Sequence, residues 1–154
     1  MRLTTLLRVA VLSGLLAVFQ PFQGVAPAQG PRAQAKGIQG NWKVVSVEMD
    51  GKKDPDGEVF DMIRNATMTF TKDKQIIEVG GGKKVYTYTL DPKHKPQALY
   101  LKGDVSVAAV YKLDGNTLKI CMPNAGKGGG VMPTALTTKK GDGRLLIVLK
   151  RGVK

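Results

Sequence analysis

Cysteine, histidine and tryptophan each occur once in the 154 residues, and aromatic residues make up only 6% of the chain. A single cysteine excludes an internal disulfide framework. One Cys and one His fall short of the three or four ligands that a transition-metal site needs, so neither Cys121 nor His94 nominates a metal centre. His94 lies in the Pro-flanked turn Asp91-Pro92-Lys93-His94-Lys95-Pro96, where exposure is expected, and no motif sets a Ser or Cys nucleophile beside it. Cys121 is read as a small, semi-buried apolar residue. The chain therefore offers no catalytic residue and no cofactor motif, and it is read as a non-enzyme. Gly80-Gly81-Gly82-Lys83-Lys84 has neither the leading spacing nor the Ser/Thr of a phosphate loop. Asp54, Asp56, Glu58 and Asp61 do not make a calcium loop, because the turn glycine is misplaced and no Glu closes it. They are expected to serve as helix-start electrostatics.

Acidic residues are also scarce, 12 against 24 Lys and Arg. A surplus of this size suits adhesion to a polyanion such as an anionic envelope polymer. The lysines come in ones and twos, mostly at turns, a spacing that favours a plain solvated surface over a binding patch. Specific nucleic-acid binding is not expected, since base stacking would require aromatics on an exposed face among the lysines and export would place the protein away from the cytoplasmic genome.

No apolar run reaches the ~18–20 residues that span a bilayer. Val9–Phe19, about eleven residues, has the length of a secretory h-region. Arg2 and Arg8 precede it, and the small-residue site Ala26-Pro27-Ala28 follows. Residues 1–28 are thus expected to form a signal peptide cleaved before Gln29, leaving no transmembrane segment and placing the protein in the periplasm or outside the cell. Loss of Arg2 and Arg8 leaves 22 basic residues against 12 acidic ones, still +10. Residues 29–37 read as a flexible leader and 38–154 as one domain.

What is present is short strands. Gly40-Asn41-Trp42-Lys43-Val44-Val45-Ser46-Val47-Glu48-Met49 opens the series. Alternation sets Trp42, Val44 and Ser46 on one face and Val45, Val47 and Met49 on the other. A helix is admitted only over 54–66, on the spacing of Val59, Phe60, Met62 and Ile63. Strands follow at 67–71, 75–79, 84–90 and 98–102. The stretches 105–113 and 117–122 flank Asp114-Gly115-Asn116, the strongest hairpin signal in the chain. After the glycine-rich loop 123–133 comes a weak strand over 134–138. The last strand, 144–150, is apolar on both faces. Eight or nine strands with turns every eight to twelve residues predict an all-β, antiparallel, up-and-down barrel, with a β-sandwich as the alternative.

Gly40-x-Trp42 at the start and Arg151 just past the last strand resemble lipocalins, in which an arginine from the end of the barrel stacks across the first-strand tryptophan. The resemblance implies that Gly40, Trp42 and Arg151 close one end of the barrel. Ile38–Glu48 with Asp50-Gly51, Leu90-Asp91-Pro92 with Lys95-Pro96, Val110–Cys121, and Leu146–Arg151 also resemble, in order and spacing, an uncharacterised secreted domain family of planctomycete bacteria with lipocalin-like barrels. That likeness implies fold and export and supplies no activity. Met132-Pro133-Thr134-Ala135-Leu136 departs from the Arg-Pro-Thr-Glu-Phe-like stretch of that family, and Ala109-Val110-Tyr111 replaces its Gly-Ile-Tyr.

An eight-stranded barrel either packs shut or holds one small ligand. A small apolar ligand is expected to meet Trp42, Phe70, Tyr86, Tyr88, Leu101, Tyr111 and Ile120, with Met68 and Leu99 as further lining. The same residues equally describe a plain core.

Overall fold

The structure, a computed structural model, describes residues 37–124 and 130–152. The signal peptide expected over 1–28, most of the leader and the centre of the glycine-rich loop lie outside these residues. The described strands are β1 (Gly40–Met49), β2 (Lys52–Lys53), β3 (Thr67–Phe70), β4 (Lys74–Val79), β5 (Gly82–Asp91), β6 (Ala98–Lys102), β7 (Ser106–Asp114), β8 (Thr117–Pro123) and β9 (Arg144–Arg151), with one helix, α1 (Glu58–Arg64). All pairings are antiparallel, and β9 returns to β1, so eight strands close a barrel while β2 extends β1 alone. Closure excludes the sandwich and leaves no long free edge.

Tight turns set the register. Asp50 and Gly51 both take positive φ, 53° and 73°, the geometry of a two-residue hairpin turn between Met49 and Lys52. Gly115, at φ 53°, turns β7 into β8, and Asp114 pairs with Thr117 across it.

Alternation places Met68 and Phe70, Ile77 and Val79, Tyr88 and Leu90, and Leu118 and Ile120 inside. β1 departs from strict alternation. Val44 pairs with Leu149 and Ser46 with Val148, so Val45 is an unpaired bulge residue. The extra residue flips the parity of the strand. Trp42, Val44 and Val47 therefore face the core, whereas Ser46 does not share the face of Trp42 as alternation predicts.

Residues 134–138 form no strand. With Pro133 they run as an irregular strap over the outside of the barrel, where Met132 and Leu136 cover Val110, Cys121 and Leu146. Thr138 ties the strap down: its Oγ1 donates to Glu48 Oε1 at 2.7 Å and accepts from the Gly51 amide at 3.0 Å. This cover explains why β9 is apolar on both faces.

α1 is shorter than the stretch its spacing suggests. Gly57 is its N-cap and supplies no side-chain hydrogen bond. Asp54 is not part of the helix start. Its carboxylate accepts from the Val47 amide at 2.8 Å and its own amide donates to Val47 O at 2.6 Å, so it finishes the β1–β2 hairpin. Glu58 and Asp61 do sit in the first turn, and Asp61 pairs with Arg64. Phe60 and Ile63 pack on the core, leaving Val59 and Met62 to solvent. Among the described residues no helix is long and apolar enough to cross a membrane.

Candidate functional site

The two ends of the barrel differ in filling. At one end gather the start of β1, the β3–β4, β5–β6 and β7–β8 turns, and Arg151. Trp42 is fully buried there, and its Nε1–H donates to Ile38 O at 2.7 Å. The Arg151 guanidinium carbon lies 4.4 Å from the centre of the Trp42 ring. Its two terminal nitrogens donate to Gln39 O at 2.5 Å and Gly37 O at 2.7 Å. Gly40 makes room for this: at φ 125° a Cβ would sit 2.8 Å from Arg151 Nη1. Phe70 and Tyr88 meet edge to face, 5.4 Å apart at 83°, and the Tyr88 hydroxyl donates to Thr71 O at 2.8 Å. Burial, with Asp91 and Tyr88 adding, pushes the Tyr111 phenol up to about 12. Tyr88 is also raised, by burial first and then by Asp73.

At the other end lie α1, the Gly80-Gly81 turn and the β6–β7 turn. The core stops short here and leaves a cavity of about 190 Å³. Met68, Gln75 and Ile147 are buried lining residues, while the half-buried Ile63, Val79, Tyr86, Val107 and Leu145 form the rim. Of the expected lining, Tyr86, Leu101 and Met68 reach this cavity. Trp42, Phe70, Tyr88, Leu99, Tyr111 and Ile120 do not; all six are buried core residues outside its lining. Two wider hollows, about 470 Å³ beside Tyr100 and Lys102 and about 430 Å³ beside His94 and Lys112, lie on the outer surface.

Sequence reasoning missed Gln75. It is 1% exposed and points inward with Ile77 and Val79, between Phe70 and Tyr86 in register. Its Nε2 donates to Met68 Sδ at 3.6 Å, and its Oε1 has no hydrogen-bond partner among the described residues. The available signal was parity: a glutamine two and four residues before inward-facing apolar residues.

No family model, curated protein or solved structure matches this chain. Cys121 faces outward beneath the strap, and burial pushes its thiol up to about 11, so it is a packed thiol at neutral pH. His94 is half-buried rather than exposed, with Nδ1 2.6 Å from Pro96 O, which that nitrogen's proton satisfies. Among the described residues no three His, Cys, Asp or Glu side chains group to hold a metal ion.

The outer surface carries one further pattern. Lys112 stands directly opposite Lys119, and Lys43 opposite Lys150, all four exposed. Thr117 pairs with Lys150, which sets Lys119 diagonal to it, so the four form one stripe across β7, β8, β9 and β1. None of them forms an ion pair with a described carboxylate. Like charges opposite one another destabilise a sheet unless an anion lies between them.

Proposed function

We propose that this barrel is an exported binding domain that holds a small apolar molecule in the cavity beside α1. The observation that carries the reading is an apolar void of about 190 Å³ in a core otherwise filled to its closed end. Apolar side chains facing such an open hollow forgo burial that a filled core would give them. An apolar cavity of ~150 Å³ is known to hold benzene, which sets the size of ligand. The rim admits a ligand without opening the barrel, and the exposed Val59, Met62 and Val105 give that end an apolar approach. The leader read in residues 1–28 supports export to the periplasm or outside the cell, among envelope material.

Native mass spectrometry of the protein exported with its own leader tests this reading. A discrete mass retained gently and lost on denaturation is expected, together with a ligand-dependent rise in melting temperature. Ala66→Leu fills the cavity from its wall; it is expected to abolish the added mass and to raise the melting temperature of the empty protein. An apo mass with no thermal shift across a panel of small apolar compounds sinks the reading.

The lysine stripe supports a second, compatible activity: adhesion to an anionic envelope polymer. Retention on an anionic polymer column that falls with salt, and falls further in Lys112→Gln/Lys119→Gln, is the expected result. Retention indifferent to both removes this activity.

A further inference from the structure

We propose that the domain lies on an anionic polymer by its closed end, with the mouth of the cavity turned away from the polymer. The inference rests on the adhesion reading above and goes past the stripe to say which end of the barrel meets the partner. The two ends differ in charge as they do in filling. At the closed end Lys72 and Lys74 flank the tip of the β3–β4 turn, and Lys93 and Lys95 stand in the β5–β6 turn, all four exposed. Among the described residues the acids of these turns and of the β7–β8 turn are Asp73, Asp91 and Asp114. Asp91 is taken up by its own turn: its Oδ1 accepts from the Lys93 amide at 2.9 Å and from the His94 amide at 3.3 Å. The stripe of Lys43, Lys112, Lys119 and Lys150 runs out from this end along the wall. The open end carries lysines too, Lys52 and Lys53 in β2 and Lys83 and Lys84 in β5, but it offsets them with the acids around α1 and with Glu78. The ion pairs between described residues, Asp61–Arg64, Glu78–Lys83 and Asp142–Arg144, all fall at that end. The uneven charge gives the barrel a field that draws a polyanion to the closed end.

The form of this surface selects a polymer over a lipid bilayer. Its lysines occupy the end turns and one flank of the wall, a bent surface that a flexible chain can follow and a flat membrane cannot touch all at once. A bilayer also rewards exposed apolar side chains that enter it. Val59, Met62, Val85 and Val105 are exposed toward the open end and Val45 and Tyr100 on the wall, whereas the closed-end turns expose no large apolar side chain. Lysine is a compact point charge without the planar fork of arginine, so the contact reads charge density and not the geometry of one anionic group. Contact of this kind draws its strength from released counterions, and it falls steeply with salt.

Two variants of equal net charge supply the test. Lys72→Gln/Lys74→Gln/Lys93→Gln/Lys95→Gln removes four charges from the closed end, and Lys52→Gln/Lys53→Gln/Lys83→Gln/Lys84→Gln removes four from the open end. All eight side chains are exposed, so neither exchange reaches the core. Binding of each variant and of the unaltered protein, exported with its own leader, to poly-L-glutamate is measured by calorimetry over a range of salt. The closed-end variant is expected to lose roughly tenfold or more in affinity and to show a shallower salt dependence, while the open-end variant stays within about threefold of the unaltered protein. An equal loss in the two variants overturns the inference and leaves adhesion by diffuse charge standing. No binding of the unaltered protein at low salt overturns the inference and the adhesion reading together. Tighter binding to vesicles of phosphatidylglycerol and phosphatidylcholine than to poly-L-glutamate overturns the polymer as the partner.

Discussion

The closed and open ends of this barrel are built from the same strands and solve opposite problems. At the closed end three polar groups that enter the core are partnered: the Trp42 indole on Ile38, the Arg151 guanidinium on Gly37 and Gln39, the Tyr88 hydroxyl on Thr71. At the open end a single amide is buried with its oxygen unpartnered, in the wall of an unfilled hollow. The difference shows where stability resides and where it has been given up. A well-satisfied end can carry the fold, and an under-filled end is then free to take a guest.

The sharpest way to break this comparison is at the closed end. Trp42→Ala is expected to cost about 3–5 kcal/mol, enough to unfold much of the population, as read by urea denaturation. If it costs no more than removal of a cavity-lining side chain such as Ile77, the two ends are not different in kind. Alkaline pH makes the next largest test. Tyr111 moves from an ordinary value of 10 to about 12 in the fold, so the neutral phenol is the favoured form. Its contribution, about 2–3 kcal/mol, is intact below pH 10 and is lost as pH rises through 12. Urea midpoints measured from pH 8 to 12 should fall over that window, and less steeply in Tyr111→Phe. Arg151→Met keeps the aliphatic cover on Trp42 and removes the charge and its hydrogen bonds. A loss of about 2 kcal/mol is expected, and Gly40 should become tolerant of alanine in that background more than in the native one. The smallest effect belongs to the open end and has the opposite sign. Gln75→Leu is expected to stabilise the empty protein by about 1 kcal/mol, seen as a higher urea midpoint, because it removes an unpaired amide.

Much of the barrel was legible because a period of two is hard to disguise. Thr67–Phe70 alternates cleanly, Asp114-Gly115-Asn116 marks its hairpin, and Gly40-x-Trp42 with Arg151 points to one place. The bulge at Val45 left no trace, because Val44-Val45-Ser46 continues an acceptable pattern whichever residue is skipped. The strap misled for a related reason: Thr134–Thr138 has strand-like composition, and only tertiary cover decides that it lies across strands instead of joining them. The cavity was half legible. Alternation says which side chains point inward, but whether they meet depends on volumes summed over eight strands. That is why Tyr86 and Leu101 line the void while Trp42, Phe70, Tyr88, Tyr111 and Ile120 fill the core.

The strap has a kinetic consequence. Cys121 lies on the outer surface of β8, shielded by residues that are not themselves part of the barrel. A thiol reagent is expected to reach it once the strap lifts, with all eight staves of the barrel still closed, and labelling no faster than global unfolding would show that the strap does not open alone. Its labelling rate therefore clocks a local opening, separately from the global unfolding that exposes Trp42. The chain's lone sulfhydryl is placed to time the lifting of this cover.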